Sequence, residues 1–224
     1  MNKITEYWDS RYKRDFEKSG GKKLLGNDDT WIEDHKAVLA KFKGGKALDL
    51  GSGYGQMSKY FSNLGYAITA VDISEHSLKI LQNNIPNVRT IQHDISHKLP
   101  FADSEFDLVI ANLSLHYFTE HDTKSAIAEI KRVLKSGGML VGSVVSLAEH
   151  QHAVASGYSF ELLEPNFYRE DGVKLIRFFS HECIERFFSG FEKIVLDDMA
   201  RKRMGVTKHA WEFIFVNVPA GARH

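Results

Sequence analysis

Three aspartates, Asp49, Asp72 and Asp94, stand at the ends of three successive candidate strands, and a glycine triplet follows the first. The first run, Ala47-Leu48-Asp49-Leu50, enters a loop with Gly51, Gly53 and Gly55 inside the stretch Lys46 to Gln56 (KALDLGSGYGQ). Glycine permits positive φ and leaves no Cβ between backbone and ligand. A loop of this kind at the carboxyl end of a parallel strand is where open α/β sheets place their ligands. A dinucleotide fingerprint, G-x-G-x-x-G, would need glycine where Gln56 stands, and a P-loop would need Gly-Lys-Ser/Thr. Neither is present. Asp72 ends a second run, where a carboxylate can accept both hydroxyls of a ribose. Asp94 ends a third candidate strand, in His93-Asp94-Ile95, where it could accept from an adenine amino group while Ile95 packs on the ring. Together these residues suit an adenosine without a pyrophosphate.

The elements that must position them alternate. Ala47 to Leu50, Ala67 to Asp72, Val88 to His93, Phe106 to Ala111 and Met139 to Val145 read as strands. Gln56 to Leu64, a helix after Ser74 with Leu78, Leu81 and Ile85 inward, and Thr119 to Leu134 read as the helices between them. This β-α repetition predicts a parallel sheet with right-handed crossovers. Residues 1 to 45 read as a helical cap. In it, Ile4, Tyr7, Trp8, Tyr12 and Phe16 share one face, Gly20-Gly21 is a break, and a second helix, Trp31 to Phe42, is capped from Asp28-Asp29-Thr30. Ser146 to Arg177 reads as a variable, irregular stretch on the substrate side. Ser180 caps a further helix, and Glu192 to Leu196 and Trp211 to Val218 form an antiparallel edge hairpin joined by a charged connection. The expectation is one α/β, Rossmann-like, doubly wound domain, mostly parallel, over 224 residues.

Composition narrows the partners. Lys and Arg number 29 against 29 Asp and Glu, so no net charge draws the chain to nucleic acid or an anionic membrane. A single cysteine, Cys183, forms no internal disulfide and fits a reducing compartment. No apolar run approaches the ~20 residues of a membrane span. A cytoplasmic protein, monomer or homodimer, is the expectation. The 11 histidines show no metal-ligand spacing, and no metal is expected.

ALDLGSGYG, the AVD and HDI that end the second and third strands, FDLVIANLSLHYF and RVLKSGGML resemble the successive motifs of class I S-adenosylmethionine-dependent methyltransferases. The likeness runs from Lys46 to Val145 and is nearest the small-molecule branch, type 11 and tellurite-resistance-like members; Tyr7-Trp8-Asp9 resembles that branch's opening. The resemblance implies S-adenosylmethionine as cofactor and S-adenosylhomocysteine as product. Gly51, Ser52, Gly53 and Gly55 would line the methionine moiety, Asp49 would steer its amino group, and Gln56 would also bind the cofactor. Asp72 would hold the ribose with Ile73 against the adenine, and Asp94 and Ile95 would bind the base. Asn112, Leu113 and Ser114 would give backbone contacts near the sulfonium, and Trp8 would close over the cofactor.

Each residue has a plainer role to weigh. The glycines could only turn the chain, Asp72 could cap a helix, and Asp94 could serve a turn. Asp107 is expected to be structural. His116 and Tyr117, just past the fourth strand, are the candidate catalytic pair; a histidine there is a possible base near neutral pH, and a packed histidine otherwise. Tyr158, Phe160, Phe167 and Tyr168 would be core or lid, and Arg201-Lys202-Arg203 a solvated loop. The expected reaction is in-line methyl transfer to a small molecule, with catalysis mainly by positioning. Asn112-Leu113-Ser114-Leu115 departs from the Asn-Pro-Pro-aromatic motif of enzymes acting on base or glutamine amino groups. A cofactor-binding sensor or partner subunit without transfer, and a nicotinamide-dependent reductase, are the competing readings.

Overall fold

The computed structural model describes residues 3–19, 31–42, 44–170, 172, 174–203 and 206–219. The expected break at Gly20-Gly21 and the caps at Asp28-Asp29-Thr30 lie outside them. The chain forms two compact units, Met1–Ile95 and Ser96–His224.

Among the described residues, the first unit opens with α1 (Lys3–Lys18), α2 (Trp31–Asp34) and α3 (Lys36–Leu39). It continues with β1 (Gly45–Leu50), α4 (Gln56–Asn63), β2 (Tyr66–Asp72), α5 (Glu75–Asn84) and β3 (Arg89–Gln92). β1 pairs with β2 in parallel from Gly45↔Tyr66 to Leu50↔Val71, and β2 pairs with β3 from Thr69↔Arg89 to Asp72↔Gln92. β2 and the second half of β1 are buried on both faces and largely apolar, whereas β3, Arg89-Thr90-Ile91-Gln92, is polar and partly exposed. Ala47, Leu48, Leu50, Ala70 and Val71 are buried, and Phe61 of α4 and Leu81 of α5 are fully buried beside them. The helix expected over Trp31 to Phe42 is divided at His35, whose φ and ψ of −107° and 14° are not helical. Ile4 is 44% exposed, so the apolar face of α1 begins at Tyr7.

The second unit holds β4 (Phe106–Asn112), a 3₁₀ turn (Leu115–Tyr117), α6 (Glu120–Val133) and β5 (Leu134–Val145). After these come α7 (Leu147–Ala155), β6 (Phe160–Glu164), β7 (Phe167–Glu170), β8 (Lys174–Arg177), α8 (His181–Phe187), β9 (Phe191–Arg203) and β10 (Val206–Asn217). β4 and β5 are parallel, β10 is antiparallel to β5, and β9 is antiparallel to β10. The strand order is β3-β2-β1-β4-β5-β10-β9, the α/β, Rossmann-like, mostly parallel sheet with an antiparallel edge that the sequence predicts. Thr119 and Ser180 cap α6 and α8 by accepting from Asp122 N and Cys183 N, as serine and threonine do at this position. Asp107 is structural, ion-paired to Lys135 at 2.6 Å.

Two stretches differ from expectation. Residues 146 to 177 are not irregular: they form α7 and a separate antiparallel sheet, β6-β7-β8. Its strands are short, and Asn166 turns the chain at φ 60° between the first two. One core holds the sheet. The rings of Phe160, Tyr168 and Phe178 pack on His150 of α7 at 4.9, 4.5 and 5.0 Å. The charged connection 197–209 is likewise mostly strand, because β9 and β10 stay paired as far as Arg203↔Val206. Backbone pairing holds this hairpin where the side chains give no apolar alternation. Arg201 is therefore not in a solvated loop. Its Nε donates to both oxygens of Glu212, at 2.8 and 3.0 Å, and Glu212 is fully buried.

Arg177 is also fully buried and ties the small sheet to the segment after β4. Its guanidinium donates to Glu164 at 2.9 Å, to the Pro165 carbonyl at 3.0 Å and to the Phe118 carbonyl at 3.2 Å, with Phe167 and Phe187 at its faces. Removing the charge leaves a carboxylate and two carbonyls short of donors. Arg177→Met is expected to destabilise the chain by about 3 kcal/mol, measured as a lower midpoint in urea unfolding.

Candidate cofactor site

The site in the first unit starts at the end of β1. Gly51 N and Ser52 N both donate to the Val71 carbonyl, at 2.8 and 3.0 Å, so the loop leaves β1 while still tied to β2. Gly53 and Gly55 then take φ of 51° and 89°, which suits glycine. A Cβ at Gly55 would lie 2.7 Å from Leu81 Cγ, so α5 also requires glycine there. At Gly53 a Cβ would lie 3.1 Å from the Tyr12 hydroxyl, which places α1 directly against the loop.

Asp72, at the end of β2, organises this turn. One carboxylate oxygen accepts from Gly53 N at 2.8 Å and the other from Ser74 N at 2.9 Å. Asp72 is not the helix cap; Ser74 is, accepting from Ser77 N at 3.1 Å. Burial raises the Asp72 pKa, the two amide bonds oppose that rise, and the charge of Asp9 adds to it. Each carboxylate oxygen has a second lone pair, so Asp72 can pin the loop and still accept two hydroxyls.

Asp49 is buried, and Ser58 Oγ donates to it at 2.6 Å. Burial pushes its pKa up to about 7, against the Ser58 bond and with the nearby Asp72 charge. A buried carboxyl of this kind favours a cationic partner. Ser52 Oγ is buried in the loop without a partner. An orphaned hydroxyl and a carboxylate with spare lone pairs, both at a glycine turn, fit the methionine and ribose ends of S-adenosylmethionine.

The remaining residues of this unit fall nearby in the fold. Gln56 opens α4. Ile73 is half-buried, and its carbonyl accepts from Gln92 Nε2 at 3.0 Å. Asp94 is half-buried and Ile95 buried just past β3, and His93 N ties that end to the Asp72 carbonyl at 3.0 Å. Trp8 is half-buried on α1, 5.9 Å from the Tyr12 ring. The helix residue that reaches the loop is Tyr12, whose ring meets Tyr54 edge-on at 5.0 Å while Tyr54 donates to the Tyr12 carbonyl at 2.7 Å. The sequence motifs assign no binding role to Tyr12, Tyr54, Ser58 or Ser74. One signal was available, because Tyr12 lies one helical turn from Trp8 on the same face.

The other candidates lie in the second unit. Asn112 ends β4 and accepts from Ser143 Oγ at 2.6 Å, and Leu113 N donates to the Ser143 carbonyl at 2.8 Å. Leu113 has φ 54°, an outlier for a bulky side chain of the kind that gathers at functional turns. Ser114 is buried, and its hydroxyl lacks a partner. His116 is 2% exposed, with its ring 4.2 Å from Tyr117.

A family model described as a methyltransferase domain matches residues 48–142. The chain is 37% identical over 101 residues to an uncharacterized methyltransferase of Synechocystis, covering 45% of this chain and 47% of that protein. It is 36% identical over 128 residues to the demethylmenaquinone methyltransferase of Renibacterium salmoninarum, covering 57% and 51%. These matches span about half the length of the curated relatives. Among solved structures it resembles Burkholderia thailandensis 1,6-didemethyltoxoflavin-N1-methyltransferase, determined with S-adenosylhomocysteine bound. The TM-score is 0.68 at 19% identity, covering 96% of this chain and 88% of that one, a likeness of fold. Residues 48–142 of this chain thus match a methyltransferase domain, in a chain whose fold is like that of solved S-adenosylmethionine-dependent methyltransferases.

Proposed function

We propose that this chain transfers the methyl group of S-adenosylmethionine to a small organic acceptor. The observation that carries the reading is the Asp72 carboxylate, held by Gly53 N and Ser74 N with lone pairs to spare. The cofactor supplies an activated methyl on a sulfonium; the protein's part is to hold donor and acceptor in line and to exclude water. Asp72 accepts the ribose hydroxyls, with Ile73 beside the adenine. Asp94 accepts from the base and Ile95 packs on it. Gly51, Ser52, Gly53, Gly55 and Gln56 line the methionine end, and Asp49 takes its ammonium. Trp8 closes over the cofactor from α1. Asn112, Leu113 and Ser114 contribute backbone contacts near the sulfonium. His116, paired with Tyr117, takes the proton of an alcohol or phenol; an amine or thiol needs little such help. The acceptors that two relatives are named for, demethylmenaquinone and 1,6-didemethyltoxoflavin, support a small molecule.

Calorimetric titration with S-adenosylmethionine, S-adenosylhomocysteine and NADH tests the cofactor assignment. Binding of the first two is expected; tight NADH binding with no response to the sulfonium would overturn it. Radiolabelled methyl transfer to the small molecules of a cell extract tests the enzyme reading, and binding without any labelled product would leave a sensor instead.

The hydroxyl of Ser52 separates ligand contact from folding. Ser52→Ala is expected to leave thermal stability unchanged and to weaken S-adenosylmethionine binding by about threefold to tenfold. Asp72→Ala removes both jobs of that carboxylate, so affinity is expected to fall by ~100-fold or more, with a lower unfolding midpoint as well.

Asp49 gives a pH dependence. Below pH about 7 its carboxyl is protonated in the free protein. An ammonium beside it favours the ionised form, so binding releases a proton and affinity rises with pH towards 7. One linked proton limits the slope to about tenfold per pH unit. Asp49→Asn is expected to flatten that slope, and a wild-type affinity that is flat from pH 5 to 7 would remove Asp49 from the ammonium site.

A further inference from the structure

α1 is bound to the cofactor loop by more than apolar packing. Asp9 Oδ1 accepts from the Ser74 hydroxyl and from His76 N, the latter at 3.3 Å. Ser74 is the residue whose amide holds Asp72 and whose oxygen caps α5. One residue, Ser74, therefore joins two carboxylates: its amide bonds Asp72, which pins the glycine loop, and its hydroxyl bonds Asp9, which stands on α1. One turn further along α1, Tyr12 lies against Gly53, and Tyr54 of the loop donates back to its carbonyl. Phe16, another turn on, meets the His76 ring at 5.9 Å. So the face of α1 that carries Asp9, Tyr12 and Phe16 covers the loop and the start of α5, and Asp9 supplies its charged bond.

We propose that Asp9 is a positioning residue for the cofactor, a latch that closes α1 over the glycine loop through Ser74. This rests on the reading of that loop as the S-adenosylmethionine cradle. With the latch shut, Tyr12 occupies the surface of Gly53. Cofactor entry and product release then need α1 to part from Ser74, and closure after binding holds the bound molecule. The same Ser74 amide bonds Asp72, so ribose binding at Asp72 and closure at Asp9 are coupled through one residue. Asp9 touches no reacting atom; it acts by placing Tyr12 and Trp8.

Stopped-flow tryptophan fluorescence with S-adenosylhomocysteine tests this, comparing wild type, Asp9→Ala, Asp9→Asn and Asp9→Glu. Asp9→Ala is expected to raise both the association and the dissociation rate, the latter by tenfold or more, with Asp9→Asn between it and wild type. Asp9→Glu is expected to recover slow exchange. A second readout is independent of ligand: in hydrogen exchange of the free protein, Asp9→Ala is expected to speed the amides of α1 while those of β1 and β2 stay protected. Wild-type exchange rates in Asp9→Ala, with S-adenosylhomocysteine still binding, would overturn the latch alone. No binding by the wild-type protein would overturn the cofactor reading and the latch with it.

Discussion

One carboxylate sets the geometry of the first unit. Asp72 ends a buried strand and bonds two backbone amides on different segments, Gly53 on the loop after β1 and Ser74 at the start of α5. Burying a carboxylate is costly unless its oxygens are hydrogen-bonded, and here both are. Those bonds fix where the glycine loop lies relative to the helix that follows β2. The need for glycine at positions 53 and 55 then follows from packing, since Tyr12 and Leu81 occupy the space a Cβ would take. The two amide bonds hold the loop, and each carboxylate oxygen has a second lone pair, which the proposed ribose contact would use.

Much of this was legible in the sequence for a physical reason. Strands buried on both faces read as apolar runs, and Ser74, Thr119 and Ser180 announced three helix starts by type and position. The α/β class and the antiparallel edge followed from that pattern. Residues 146 to 177 were not legible. Their strands are four or five residues long, and the ring cluster around His150 gathers residues from α7, β6, β7 and the segment after β8, a pairing no local period encodes. The extended hairpin was hidden for a related reason. Asp197 to His209 is charged on both faces, and ladder pairing rather than burial holds it.

The site was legible at the level of residue type and not of partnership. The motifs placed Asp49, Asp72 and Asp94 at strand ends, where backbone direction alone puts them. They did not show that Ser58 would hold Asp49, nor that Ser74 would stand between Asp72 and α1. Such links join residues far apart in the chain: Ser74 to Asp9 spans 65 positions and Tyr54 to Tyr12 spans 42. The family resemblance points to Trp8 on α1, while Tyr12 is the α1 residue set against Gly53 of the loop. In the second unit, buried charges are matched in the same way, Arg177 with Glu164 and Glu212 with Arg201. The Arg177 group secures the segment after β4, where strained Leu113 and buried His116 stand, and the Arg201–Glu212 pair secures the edge hairpin.

The central claim is that Asp72 serves the loop and the cofactor at once. A crystal structure with S-adenosylhomocysteine bound examines it directly. The account predicts both ribose hydroxyls within hydrogen-bond distance of the Asp72 carboxylate, with the Gly53 and Ser74 amide bonds retained, and the methionine end against Ser52 and Gly53. A ligand seated elsewhere, or an Asp72 that keeps only its two amide partners, would contradict it.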